Sequence, residues 1–98
     1  MAVAVAEVSQ KFVDALNQKF SDSFIVLPGK KFDRVVLNDE DSQRAHAFIE
    51  RTNGHLYKAA TWKTPAKSPR FHLASDEVIA ETASMADRYG SYLYKRSH

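Results

Sequence analysis

Aromatic and basic side chains alternate along residues 57–71, which gives this segment the most distinctive chemistry of the sequence. Tyr57 and Trp62 stand there among lysine and arginine residues. No acidic residue occurs between Glu50 and Asp76, although the whole chain carries a formal charge of only +2. Cations neutralise phosphates or carboxylates, and aromatic rings stack on bases or fill pockets in a protein partner. The predicted contact residues are Tyr57, Lys58, Trp62, Lys63, Lys67 and Arg70.

Two kinds of partner suit this segment, and each predicts a different behaviour. A protein partner would dock against the aromatic and arginine side chains, which carry much of the binding energy in protein interfaces. A nucleic acid would use the same surface, and its affinity would fall steeply with rising salt. Our first hypothesis is a non-enzymatic binding protein with a protein partner, and nucleic-acid binding is the alternative.

A third hypothesis, a Mg-dependent hydrolase or nuclease, depends on the acidic residues Asp39, Glu40 and Asp41. Clustered carboxylates attract hard cations, but no glycine follows at the spacing that a calcium-binding loop requires. The four histidines never stand three or four residues apart, as metal ligands on a helix do, and we expect most of them on the surface. No nucleophile elbow or phosphate-binding glycine loop is present. The favoured interpretation is a solvated acidic turn, with no cofactor, no metal and no catalytic residue.

The composition is typical of one small domain without disulfides. The 98 residues are 44% hydrophobic and 27% charged and include no cysteine, which predicts a single domain over residues 1–98. Thiolate metal sites and cysteine nucleophiles are thereby excluded, and the cytoplasm is the predicted compartment. No stretch approaches the roughly 20 apolar residues of a membrane span, and the first residues lack the basic start of a signal peptide. We therefore expect no membrane contact.

The elements that position these residues begin with a helix. Apolar residues three and four apart predict an amphipathic helix over residues 5–20. The apolar run 24–27 predicts a buried strand, and Pro28-Gly29 predicts a type II turn in which the glycine takes a positive φ. Residues 31–37 predict a returning strand, which the acidic cluster interrupts.

A second hairpin is predicted from residues 45–50 and 56–62, joined by an Asn-Gly turn. A two-residue loop would pair Ile49 with Lys58, whereas a type I turn followed by a glycine bulge pairs Ile49 with Tyr57. Because only the second register gives one apolar face, we prefer it.

The C-terminal third begins with residues 63–70, which are predicted to form a loop because proline fits neither a helix interior nor a central strand. Ser75 predicts the cap of a helix that Gly90 ends. The buried apolar stripe of this helix is predicted to be Val78, Thr82, Met85 and Tyr89. The aromatic residues 92–94 predict a short edge strand, through which two copies of the chain would form a homodimer.

The order of these elements predicts an α+β fold. We expect an antiparallel sheet of three to five strands from two hairpins, with an N-terminal and a C-terminal helix packed on one face. The predicted contact surface is then the second hairpin with its proline loop, residues 57–71.

A resemblance to known proteins runs over about residues 32–96. Its main phrase is YKAA-x-WK-x-PAK-x-x-RF from Tyr57 to Phe71, preceded by HAFI at 46–49 and followed by YLY at 92–94. These residues resemble small uncharacterised proteins encoded by bacteriophages. The resemblance implies a phage source, the cytoplasm of an infected bacterium, and a host or viral macromolecule as partner. It implies no activity and carries over no catalytic residue.

Overall fold

A five-stranded antiparallel sheet forms the centre of the fold, which confirms the predicted α+β class. The computed structural model describes residues 6–21, 23–40, 42–87 and 90–93. The strands lie side by side in chain order, each antiparallel to the next. In these residues the elements are α1 (Glu7–Phe20), β1 (Phe24–Leu27), β2 (Phe32–Asp39), β3 (Ser42–Glu50), β4 (His55–Ala59), β5 (Pro65–His72), α2 (Asp76–Met85) and a 3₁₀ turn (Ser91–Leu93).

Both helices pack on one face of the sheet, as predicted, and enclose the hydrophobic core. Phe12 and Leu16 of α1 are fully buried there, which confirms the apolar stripe of this helix; Val5, its predicted first residue, lies outside the described residues. Ile49 and Leu56 reach the same core from the sheet. Each such side chain contributes about 1.5 to 3 kcal/mol through burial. We call this side of the sheet the helix-covered face.

The second helix is shorter than the sequence predicts. The Ser75 hydroxyl accepts a hydrogen bond from a backbone N–H of the first turn at 3.3 Å, so the predicted cap is confirmed. The helix nevertheless ends at Met85 and not near Gly90, and Met85 is 55% exposed instead of buried. The Lys19 amine of α1 donates to two backbone carbonyls at the end of α2, at 2.8 and 2.6 Å, and so satisfies its last turn. Tyr89, also predicted in the stripe, lies outside the described residues.

The turn between β1 and β2 differs from the predicted one. The two strands pair as expected, but Gly29 has no positive φ, so the turn is not of type II. Glycine is needed there because a Cβ atom would lie 2.5 Å from the carbonyl oxygen of Phe32. The requirement is thus one of space and not of backbone conformation.

The hairpin of β3 and β4 has a register that neither sequence-based alternative gave. Ile49 pairs with Leu56, and Phe48 pairs with Tyr57. A four-residue turn causes this register: the Gly54 N–H donates to the last carbonyl of β3 at 2.8 Å, and Gly54 takes a φ of 75°. A shift of one residue exchanges the two faces of a strand. Tyr57, predicted to share a face with Ile49, therefore lies on the opposite face.

Residues 63–70, predicted as a loop, are mostly strand. β5 begins at Pro65 and lies at the edge of the sheet, where β4 is its one neighbour in the sheet. An edge strand tolerates proline because one side of its backbone makes no ladder hydrogen bonds. Its pairing is irregular, with register shifts on both sides of Tyr57. Proline does exclude a central strand here, but the conclusion that no strand forms was wrong.

The predicted C-terminal edge strand is a 3₁₀ turn in residues 91–93. Leu93 is fully buried, and the Tyr92 hydroxyl lies 2.7 Å from Nε2 of His46. Burial raises the pKa of that hydroxyl. His46 is only 5% exposed, so the expected surface position was wrong for this histidine. The described part of the predicted dimer edge thus packs against the core, and Tyr94 lies outside the described residues.

Candidate binding face of the sheet

The side of the sheet away from the helices carries one continuous row of paired residues. Directly paired residues project from the same side of a sheet. None of this row belongs to the hydrophobic core cluster, so the row lies opposite the helices. We call this surface the helix-free face. From β1 to β5 the row reads Leu27, Arg34, Phe48, Tyr57 and Pro69, and Ile25, Phe32 and Val36 flank it on the same side.

Three aromatic rings on the helix-free face contact one another edge to face. The ring centroid of Phe32 lies 5.4 Å from that of Tyr57 and 6.2 Å from that of Phe48, at interplanar angles of 89° and 88°. Such pairs contribute about 0.5 to 1.5 kcal/mol beyond their buried area. Phe48 is 3% exposed, whereas Phe32 and Tyr57 are half-buried. The rings therefore form a fixed apolar surface that remains partly open.

Arg34 is the second residue of the row and contacts two aromatic rings. Its guanidinium carbon is 4.8 Å from the ring centroid of Trp62 and 5.7 Å from that of Phe48. Its Nε atom is buried and donates to no acceptor in the part of the chain that the structure describes. No ion pair of Arg34 is found within that part either. The guanidinium is thus held by π contacts alone.

Trp62 reaches Arg34 from the turn between β4 and β5. We call residues 60–64 the Trp62 loop. The Thr61 hydroxyl accepts hydrogen bonds from the Lys63 and Thr64 N–H groups at 3.2 and 3.1 Å, and the Ala60 N–H donates to the Thr64 carbonyl at 3.0 Å. Trp62 is 38% exposed. These bonds position the indole at the surface, where it lies over the guanidinium.

The structure places two of the six predicted contact residues at the helix-free face. Tyr57 lies on the helix-free face, and Trp62 contacts Arg34 of that face. Lys63 follows Trp62 in the Trp62 loop and is exposed. Lys67 is exposed on the edge strand β5. The Tyr57 ring and the Trp62 indole therefore lie at one surface, and Lys63 and Lys67 are exposed residues of the neighbouring loop and edge strand.

Two other predicted contact residues serve the fold. Lys58 pairs with Ala47, a residue of the core, so it projects from the helix-covered face, and its amine donates to a backbone carbonyl at 3.2 Å. The Arg70 guanidinium donates to the carbonyls of Leu93 and Ser68 and so binds the 3₁₀ turn to β5. The prediction grouped these side chains with Trp62, but the structure separates them from it.

Glu50 lies beside the rings, and its carboxylate already accepts a hydrogen bond. It pairs with Phe32 in the sheet, and its carboxylate accepts a hydrogen bond from the Tyr57 hydroxyl at 2.9 Å. This bond, with the nearby charge of Lys31 as a smaller cause, lowers the pKa of Glu50, and the same bond raises the pKa of Tyr57. Glu50 is thus engaged by Tyr57 and gives Arg34 no ion pair.

Sequence reasoning missed Phe32, Arg34 and Phe48. Arg34 lies outside residues 57–71 and reaches this region only through the pairing of β2 with β3. A signal was present in the two-residue spacing of Phe32 and Arg34, which places both on one side of a strand. The hydrophobic run after Arg34 obscured which side faces the core.

The acidic cluster lies at the turn from β2 to β3. Asp39 is the last residue of β2, and Asp41 lies outside the described residues. The described residues contain no group of three or more histidine, aspartate and glutamate side chains that could hold a metal ion.

The described helices are too short or too polar to cross a membrane.

Comparison with known proteins gives one match. The model of a family of unknown function (DUF7717) matches residues 2–95. No curated protein and no solved structure matches the chain.

Proposed function

We propose that this chain, which belongs to the family of unknown function DUF7717, is a non-enzymatic binding protein whose helix-free face contacts a protein partner. The resemblance to bacteriophage proteins extends the proposal to its setting: a phage-encoded protein that acts on a host or viral protein in the cytoplasm of an infected bacterium.

The observation that carries the proposal is the composition of the helix-free face. A sheet face that is open to water in an antiparallel sheet is ordinarily polar. Here it presents Phe32 and Tyr57 in contact with each other, and Trp62 in contact with Arg34. Tryptophan, tyrosine and arginine are enriched at the centres of protein interfaces. Contiguous apolar surface on a folded protein marks a place where a partner binds.

The charges favour a protein over a nucleic acid. Five lysine and arginine residues lie between Glu50 and Asp76, and three of them already have partners within the chain. Arg51 pairs with Asp33 at 2.5 Å, while Lys58 and Arg70 donate to backbone carbonyls. Binding to a phosphate chain needs several accessible cations along one track. The rings also meet edge to face, so they present no series of parallel planes on which bases would stack.

The experiment is capture from a bacterial lysate with the tagged protein, with and without nuclease treatment. A Trp62→Ala variant removes the indole from the helix-free face. The matched control is Met85→Ala, which removes an exposed apolar side chain at the end of α2. We expect a captured protein that survives nuclease and Met85→Ala but is lost with Trp62→Ala.

Two outcomes contradict the proposal. Loss of the captured species after nuclease treatment would show that nucleic acid is the partner. Equal capture by the wild-type and Trp62→Ala proteins would show that the helix-free face is not the contact surface. Far-ultraviolet circular dichroism of both variants checks that each is folded.

A further inference from the structure

We infer that Arg34 is a carboxylate-binding site, which receives an acidic side chain of the protein partner on the helix-free face. The inference rests on the proposed function, and it adds the chemical group that the partner must supply. It starts from the absence of any hydrogen-bond acceptor or ion pair for Arg34 within the described residues.

An arginine with a buried donor nitrogen and no hydrogen-bond acceptor is unusual. A guanidinium has five N–H donors in one plane, and a donor that is buried without an acceptor costs free energy. Nε of Arg34 is such a donor. The Arg51 guanidinium, in contrast, donates to the buried carboxylate of Asp33 at 2.5 Å. The same side chain is therefore satisfied on the helix-covered face and left unsatisfied on the helix-free face.

The two rings determine where a ligand can approach. The ring centroids of Trp62 and Phe48 lie 4.8 and 5.7 Å from the guanidinium carbon, so aromatic rings occupy part of its flat surface. Since Nε is buried, a ligand that hydrogen-bonds to the guanidinium comes to the edge of the plane at which the two terminal nitrogen atoms point. A carboxylate fits that edge through two parallel hydrogen bonds, which are stronger than bonds between neutral groups. The surrounding apolar side chains lower the local dielectric constant and strengthen the attraction further.

The described residues supply no carboxylate to this edge. Glu50 lies on the same face, since it pairs with Phe32, but its carboxylate accepts the hydrogen bond of Tyr57. Asp33 precedes Arg34 and projects to the opposite side, where it is fully buried. We therefore assign the acceptor for Arg34 to the partner, because the described residues supply none.

The surroundings favour a carboxylate of a protein over a phosphate of a nucleic acid. Arg34 has Leu27 and Phe48 as its paired neighbours, and neither carries charge. One cation within an apolar row matches an acidic residue flanked by apolar residues, whereas a phosphate chain requires a series of cations. The predicted ligand is therefore a glutamate or aspartate side chain with apolar neighbours.

The test uses Trp62 as a reporter, because it is the only tryptophan of the chain and its ring lies over Arg34. The probes are a capped Leu-Glu-Leu peptide and its Leu-Gln-Leu counterpart, each titrated to millimolar concentration at constant ionic strength. The shifts of the Trp62 indole N–H and of the Arg34 Nε–H are followed by NMR. We expect the glutamate peptide to bind at least tenfold more tightly than the glutamine peptide.

Variants of Arg34 show whether the guanidinium is responsible. Arg34→Lys keeps the charge but loses the planar pair of donors, and we expect at least tenfold weaker binding of the glutamate peptide. Arg34→Met keeps an apolar stem, and we expect no difference between the two peptides. Equal binding of the two peptides by the wild-type protein, or unchanged discrimination in Arg34→Met, would overturn the inference. An eight-residue oligothymidylate that shifts both resonances at concentrations where the glutamate peptide does not would also overturn it, in favour of phosphate.

The same variants separate this inference from the proposed function. If the capture of a protein is lost with Trp62→Ala but survives Arg34→Met, the helix-free face is the contact surface and the inference about Arg34 is wrong. If the glutamate peptide binds at Arg34 while capture is indifferent to Trp62→Ala, the carboxylate site stands and the proposed function fails.

Discussion

Two arginines on opposite faces of one sheet differ in whether their guanidinium groups have a hydrogen-bond acceptor. Arg51 donates to Asp33, which is fully buried and also accepts the backbone N–H of Ala6 at 3.0 Å. Arg34 contacts the rings of Phe48 and Trp62 and has neither acceptor nor ion pair within the described residues. The first pair is complete within the described residues. For the second arginine we propose an acceptor on another molecule.

This difference extends to the faces as a whole. On the helix-covered face, side chains from α1, α2 and the sheet enclose one another, and His46 and Tyr92 contact each other there through polar atoms, although the buried Ser9 hydroxyl has no hydrogen-bond partner among the described residues. On the helix-free face, apolar groups are gathered without a covering helix. Under the proposed function, stability is concentrated on one side of the sheet and binding on the other, so substitutions on the two sides should have separate effects.

The largest effect is expected from Phe12→Ala on the helix-covered face. Phe12 is fully buried, and truncation of a buried phenylalanine costs about 3 to 5 kcal/mol because a cavity remains. Urea denaturation followed by circular dichroism measures the change. A loss below about 1 kcal/mol would mean that this face does not hold the fold together.

The two arginines provide the next test, as a matched pair of methionine substitutions. Arg51→Met should cost about 3 kcal/mol, because it leaves the buried carboxylate of Asp33 without its charge partner. Arg34→Met should cost about 1 kcal/mol or less, because it removes two π contacts and also an unsatisfied donor. Both free energies of unfolding come from the same denaturation experiment. Equal losses would remove the contrast between the two faces.

A smaller effect on stability is expected from Trp62→Ala. Trp62 is 38% exposed and lies in a loop that other hydrogen bonds hold, so its removal should cost less than about 1 kcal/mol. Thermal unfolding of the variant measures this. A loss of 3 kcal/mol or more would assign Trp62 to the core of the fold and not to a binding surface.

The smallest effect is expected from Tyr57→Phe, and it concerns pH. The hydrogen bond from Tyr57 is the largest cause of the lowered pKa of Glu50. Because the pKa of Glu50 is lowered in the folded chain, ionised Glu50 stabilises the fold at pH values above the ordinary pKa of glutamate. That contribution is lost as the pH falls through the lowered pKa. Tyr57→Phe should therefore raise the pKa of Glu50 and reduce this loss at acid pH. Carbon-detected NMR titration of the Glu50 carboxylate measures the shift, and an unchanged pKa would contradict the assigned cause.

The sequence predicts the local elements of this fold well and their mutual placement less well. The spacing of Phe12 and Leu16 predicts α1, and the Ser75 cap predicts the start of α2, because both signals are local. The register of Ile49 could not be read, because it depends on a four-residue turn whose hydrogen bond closes only in the folded hairpin. The sequence likewise indicates Trp62 but not Arg34 as part of the candidate site, because only the pairing of β2 with β3 brings Arg34 to that site.

The end of α2 and the course of the C-terminus were mispredicted for a tertiary reason. The Lys19 amine of α1 satisfies the last carbonyls of α2, so the helix stops before the glycine that would have ended it. Tyr92 and Leu93 then pack against the core, although their aromatic and apolar character also fits an edge strand. Contacts between distant parts of the chain decided these cases.

Site-specific photo-crosslinking tests the central claim most directly. Benzoylphenylalanine is placed either at Ala60 in the Trp62 loop or at Ala80 on α2, two exposed alanines on opposite sides of the molecule, and the proteins are irradiated in a nuclease-treated bacterial lysate. We predict a discrete crosslinked protein from position 60 and none from position 80. The same product from both positions, or a product from position 80 alone, would contradict the assignment of binding to the helix-free face.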